Sequence, residues 1–105
     1  MVKKIRRIGL KLGDISLDDL LDILERLELE IRRYLHNKLP PKTDYDLILS
    51  VEKNDVLTLN IDIGIIGEYE DIIDYKAIVN DTINYARRFF EKELKKYRVI
   101  EENTP

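Results

Sequence analysis

The sequence predicts an α+β fold of order β-α-β-β-α, with a three-stranded antiparallel sheet ordered 1-3-2 and two helices on one face. Three observations carry this reading. The stretch Val56 to Ile66 alternates Leu57, Leu59, Ile61, Ile63 and Ile65 with Thr58, Asn60, Asp62 and Gly64, the period-two signature of a strand with one buried face. Amphipathic helical runs flank it in sequence, and only these can cover its apolar side. A short polar break, Lys53-Asn54-Asp55, joins it to a second alternating run, Asp44 to Glu52.

Taken in order, Lys3 to Leu12 reads as a strand in which Ile8, Leu10 and Leu12 alternate with Arg7, Gly9 and Lys11, giving a basic outer face. Ile5 falls out of that phase, so the strand begins near Arg6 or a bulge shifts its register. Ser16 is placed as a helix N-cap, with Asp19 at the capping-box position and Ile15 able to staple onto Leu20. Leu20, Leu24, Leu27, Ile31 and Leu35 then recur at helical spacing, with acids early and bases late as the macrodipole favours. His36 stands alone near the helix end, where a charge suits the dipole, and Pro40-Pro41 stops the helix near Lys38.

In the hairpin, Tyr45, Leu47, Leu49 and Val51 share one face. A three-residue loop at 53–55 sets Val51 opposite Leu57 on that face, with Asn54 or Asp55 taking a left-handed conformation. The acidic run Glu68-Tyr69-Glu70-Asp71 precedes a long helix with a stripe of Ile72, Val79, Ile83, Ala86, Phe90, Leu94 and Tyr97. Lys92, Lys95, Lys96 and Arg98 suit its C-terminal end. A helical crossover makes the first strand parallel to the second and antiparallel to the third, so order 1-3-2 leaves only antiparallel neighbours, with the most apolar strand in the middle.

The 105 residues form one domain over 1–100, and residues 101–105, with nothing to bury, are expected to fray. There is no cysteine, which excludes disulfides and thiolate chemistry. Eighteen basic and 21 acidic residues give a net charge of −3, which argues against nucleic-acid binding by overall charge and leaves room for a local basic patch. No apolar run reaches the roughly 20 residues that cross a bilayer, and no signal-peptide pattern opens the chain, so a cytoplasmic location without membrane attachment is expected. Abundant Ile, Lys and Glu lean toward a hyperthermophile composition.

Candidate binding groups fall into two sets. Ile78, Tyr85 and Phe89 form a second apolar stripe beside the core stripe of the last helix, which is either a subunit interface or the aromatic edge of a wide core lying over the first helix. Lys3, Lys4, Arg6, Arg7 and Lys11 could follow a phosphate backbone. Arg87, Arg88, Lys92, Lys95, Lys96 and Arg98 form a further basic cluster, but Glu91 and Glu93 interleave it, as on a solvated helix face. Glu68, Glu70, Asp71 and Asp74 are explained by a helix start better than by a divalent ion. Gly64 and Gly67 lack the spacing of a phosphate loop. No catalytic constellation, cofactor site or metal site is expected.

The span Leu17 to Tyr97, about four fifths of the chain, resembles a small archaeal family of formerly unknown function with an acidic first helix, an alternating hairpin and a long last helix. Lys38-Leu39-Pro40 and Leu57-Thr58-Leu59-Asn60-Ile61-Asp62-Ile63 carry the likeness. That family in turn is similar to the small dimerisation subunit of the KEOPS complex, which makes threonylcarbamoyl-adenosine in tRNA. In that subunit the last helix shows an Asp, then an Asn about ten residues on, then a small residue and a base one turn further. Asp74, Asn84 and Arg88 stand at comparable spacing here, with Tyr85 where the family has a small residue.

The resemblance implies a non-catalytic accessory subunit of KEOPS, a probable paralogue of the standard small subunit, acting as a homodimer or as a heterodimer with it. Asp74, Ile78, Asn84, Tyr85, Arg88 and Phe89 would then lie at a protein interface, and contact with tRNA would be indirect. The alternative is a stand-alone nucleic-acid-binding module that uses the basic first strand and the open sheet face.

Overall fold

Burial of the middle strand organises the molecule. The computed structural model describes residues 1–10, 15–54 and 56–102, with the side chains of 8–10 and 97–102 outside that description. Its elements are β1 (Val2–Leu10), α1 (Leu17–Lys38), β2 (Asp44–Lys53), β3 (Leu57–Ile66) and α2 (Tyr75–Glu102), with sheet order β1-β3-β2 and both pairings antiparallel. Leu57, Leu59, Ile61, Ile63 and Ile65 of β3 are each at most 1% exposed beneath the two helices. Each such side chain contributes about 1.5–3 kcal/mol relative to leaving it in water.

The start and stop of α1 follow the sequence signals. The Ser16 hydroxyl accepts a hydrogen bond from the Asp19 amide at 3.1 Å, and Asp18 and Asp19 occupy the first turn. Leu39 leaves the helix with φ −93° and ψ 142°, the extended conformation that a following proline imposes. His36 and Lys38 lie in the last turn. The buried stripe is Leu20, Ile23, Leu27, Ile31 and Leu35, so Ile23 joins the core while Leu24 is only partly covered.

Four expectations are corrected. β1 begins at Val2 and pairs with β3 without a break from Val2–Ile65 to Leu10–Leu57, so no bulge rescues Ile5, which points outward and is 62% exposed. In the hairpin Lys53 faces Leu57 and Val51 faces Leu59, not Leu57, leaving positions 54–56 as the loop. Both registers set odd residues against odd ones and keep the apolar faces together, so alternation alone does not distinguish them. The left-handed residue among those described is Lys42, with φ 65°, in the turn after Pro40-Pro41 rather than Asn54 in the hairpin; Asp55 lies outside the described residues.

The fourth correction concerns α2, which starts at Tyr75. Ile72 lies in the preceding turns and is 79% exposed, while Tyr75 is buried. The Asp74 carboxylate accepts a hydrogen bond from the Ala77 amide at 3.0 Å and so caps the helix. That cap fixes the first turn at Tyr75, three residues beyond Ile72, where the apolar spacing would begin it. α2 continues to Glu102; positions 103–105 lie outside the described residues.

Candidate partner-binding site

On α2, every side chain is sorted by one helical rotation. Tyr75, Val79, Ile83, Ala86, Phe90 and Leu94 face the core. Asn84 and Arg88 lie one turn apart on the exposed ridge, continued by Asp81 and Lys92, which are also exposed. Among the described residues, neither Asn84 nor Arg88 has a side-chain hydrogen bond or ion pair, so both are free to engage a partner's carboxylate or backbone. Asp81 was not singled out by the sequence, and Lys92 was read only as part of the basic cluster; their three- and four-residue steps from Asn84 and Arg88 were the signal available.

The other expected interface residues are engaged within the chain. Tyr85 stacks on Tyr34 of α1 and donates a hydrogen bond from its hydroxyl to Glu30 Oε2 at 2.8 Å. That bond, with partial burial, raises the phenol pKa above its ordinary value. Ile78 and Phe89 are partly buried and pack against the core cluster. These three form the aromatic and aliphatic edge of a wide core over α1, the second of the two readings the sequence left open. Asp74 is the helix cap. Of the six residues, only Asn84 and Arg88 present free polar groups outward.

Below this edge, Glu93 is buried between the helices, with Arg26 Nη1 at 3.7 Å and Lys96 Nζ at 2.7 Å. Arg87 and Glu91 also approach each other, at 4.0 Å. The basic run of α2 is thus partly neutralised by its own acids; Arg87 and Glu91 pair on the solvated face that the sequence led one to expect, whereas Glu93 is buried and also reaches Arg26 of α1.

The N-terminal basic group is divided by the alternation of β1. Lys3 and Arg7 lie on the open face, where Lys3 Nζ is 3.5 Å from Asp62 Oδ2. Lys4 and Arg6 are half-buried on the helix side, and Lys4 Nζ donates to Asn80 Oδ1 of α2 at 2.6 Å. Lys11 lies outside the described residues. The open face itself carries Thr58, Asn60 and Asp62 half-buried, with Asn60 Nδ2 donating to Ser50 Oγ at 3.2 Å. Among the described residues there is no group of acidic or histidine side chains placed to hold a metal ion, and no helix is long and apolar enough to cross a membrane.

Neither a family model nor a curated protein matches the sequence. A crystal structure from Thermococcus onnurineus NA1 is similar in fold, with a TM-score of 0.73 over 98% of this chain and 100% of that one, at 18% identity. At that identity the likeness is one of fold.

Proposed function

We propose that this chain is a non-catalytic accessory and dimerisation subunit of the KEOPS complex, which makes threonylcarbamoyl-adenosine in tRNA. The observation that carries the reading is the ridge of α2, where Asn84 and Arg88 stand exposed and unpartnered one turn apart at the spacing the resemblance implies. The β-α-β-β-α order supports it as well. A stand-alone nucleic-acid module draws less support, because β1 sends Lys3 and Arg7 to one side of the sheet and Lys4 and Arg6 to the other. A phosphate backbone cannot follow both sets at once.

The test is reconstitution. The purified chain, mixed with the catalytic subunit and the standard small subunit of the complex, should elute with them on size-exclusion chromatography and alone should bind tRNA only weakly. Co-elution with the standard subunit would mark a heterodimer, whereas a homodimer would elute with the catalytic subunit without it. Tight, salt-sensitive tRNA binding by the isolated chain, lost on neutralising Lys3 and Arg7, would replace this reading with the nucleic-acid module.

A further inference from the structure

The two helices cover the sheet unevenly. α2 lies over β1 and β3, and α1 alone packs against β2, an edge strand of the sheet. The helix-side residues of β2, Tyr45, Leu47, Leu49 and Val51, therefore stay half-buried, although their neighbours on β3 are fully enclosed. Beside them α1 leaves Leu21 50% exposed and Leu24 partly covered. With Leu49 these line a groove of about 200 Å³ walled by Glu25 and Glu28.

β2 is also an edge strand. Its ladder to β3 runs unbroken over all ten residues, with no proline in the strand, so its other side presents alternate amides and carbonyls over the same length. Edges of this kind are usually blunted by bulges, prolines or inward charges, because they template the pairing of another chain. Here the helix-side positions Tyr45, Leu47, Leu49 and Val51 are apolar, and the inward charge is confined to the strand's end, where Lys53 Nζ donates to the Ile15 carbonyl at 2.6 Å.

We propose that the free edge of β2, together with the α1 flank beside it, is a docking site for an extended segment of another protein, which adds as a fourth strand. Charge fixes the chemistry of that segment. Asp44, Asp46 and Glu52 project from the open face of β2, and Glu25 rims the groove; among the described residues none of these four has an ion pair. The added strand carries apolar side chains toward Leu21 and Leu49 and basic ones toward Asp46 and Glu52. Main-chain hydrogen bonds supply affinity and the alternating side chains supply selectivity, as in other strand additions.

A second copy of this chain is a poor occupant. Symmetric pairing of β2 with itself sets acids against acids, which destabilises cross-strand neighbours. Head-to-tail pairing with the basic free edge of β1 does not close and would propagate as an open array. The site lies on the opposite flank of the sheet from the Asn84–Arg88 ridge and does not depend on what binds there.

The full chain can be tested with a short synthetic peptide alternating valine and lysine, against one alternating valine and glutamate, by hydrogen exchange and fluorescence anisotropy. The lysine peptide should slow exchange at alternate amides of β2 and leave β1 unchanged, and the glutamate peptide should not bind. Asp46→Lys with Glu52→Lys, both exposed positions, should weaken the lysine peptide by about tenfold or more while the circular dichroism spectrum is kept. Leu21→Lys should weaken it as well. Equal binding of both peptides, protection on β1 instead, no binding at all, or self-association of the free chain through β2 would each overturn the proposal.

Discussion

Tyr85 of α2 stacks on Tyr34 of α1 with ring centroids 4.6 Å apart and planes 19° from parallel, and the same phenol is anchored to Glu30. The pair joins the two helices along the edge of the core. Tyr85→Phe keeps the stack and removes the hydrogen bond, so it should cost about 0.5–1.5 kcal/mol near neutral pH.

The pH dependence of that loss has a definite sign. The hydrogen bond to Glu30, helped by burial, raises the Tyr85 pKa, so the folded chain holds the phenolic proton more tightly than the unfolded one. The contribution is complete below the ordinary tyrosine pKa of about 10 and is lost as pH rises through the raised folded value. Melting temperatures of the wild type and Tyr85→Phe, followed by circular dichroism, should converge above about pH 10. A gap that stays constant there would contradict the assignment.

Ile61 at the centre of β3 is fully buried and its neighbour Asn60 looks out of the open face. Ile61→Ala should cost about 2–5 kcal/mol in chemical denaturation, as truncations of enclosed Ile side chains do. Asn60→Ala gives up only the bond to Ser50 and should cost about 1 kcal/mol or less. Equal losses would mean that the open face is as enclosed as the other.

Gly67 follows β3 at a point of close approach. A Cβ placed there would run into the hydroxyl and ring of Tyr75, which is itself buried and accepts a hydrogen bond from the Tyr69 amide at 3.2 Å. Gly67→Ala should therefore destabilise by about 1–3 kcal/mol, the usual cost of overpacking. Combining it with Tyr75→Leu, which withdraws both the hydroxyl and the ring, should cost less than the sum of the two single changes; simple additivity would mean that Tyr75 is not the obstacle.

The legible parts of this fold are those where a local pattern has one physical solution. The alternation of Leu57 to Ile65 admits only a strand with one buried face, and Ser16 and Pro40 bound α1 through hydrogen-bonding and steric rules that act within a few residues. β1 was harder, because Val2-Lys3-Lys4-Ile5-Arg6-Arg7 does not alternate apolar with polar. Pairing with β3 turns Lys4 inward, where its stem lies against the helix side and its ammonium reaches Asn80, and turns Ile5 out. The role of Tyr85 was not legible either. Amphipathic spacing marks it as flanking the core, but Tyr34 and Glu30, which engage it, lie on another helix. Asn84 and Arg88 are a different case, since their exposure follows from helical spacing and the role proposed for them rests on the resemblance alone.

The most direct test of the central reading is affinity purification of the tagged chain from its native cell, wild type beside the Asn84→Ala, Arg88→Ala double variant. Both residues are exposed and off the core stripe, so the variant should keep the circular dichroism spectrum and melting temperature of the wild type. The wild type is predicted to bring down the catalytic subunit of the tRNA-modifying complex, and the double variant to recover several-fold less of it. Recovery of the wild type without any subunit of that complex would contradict the account.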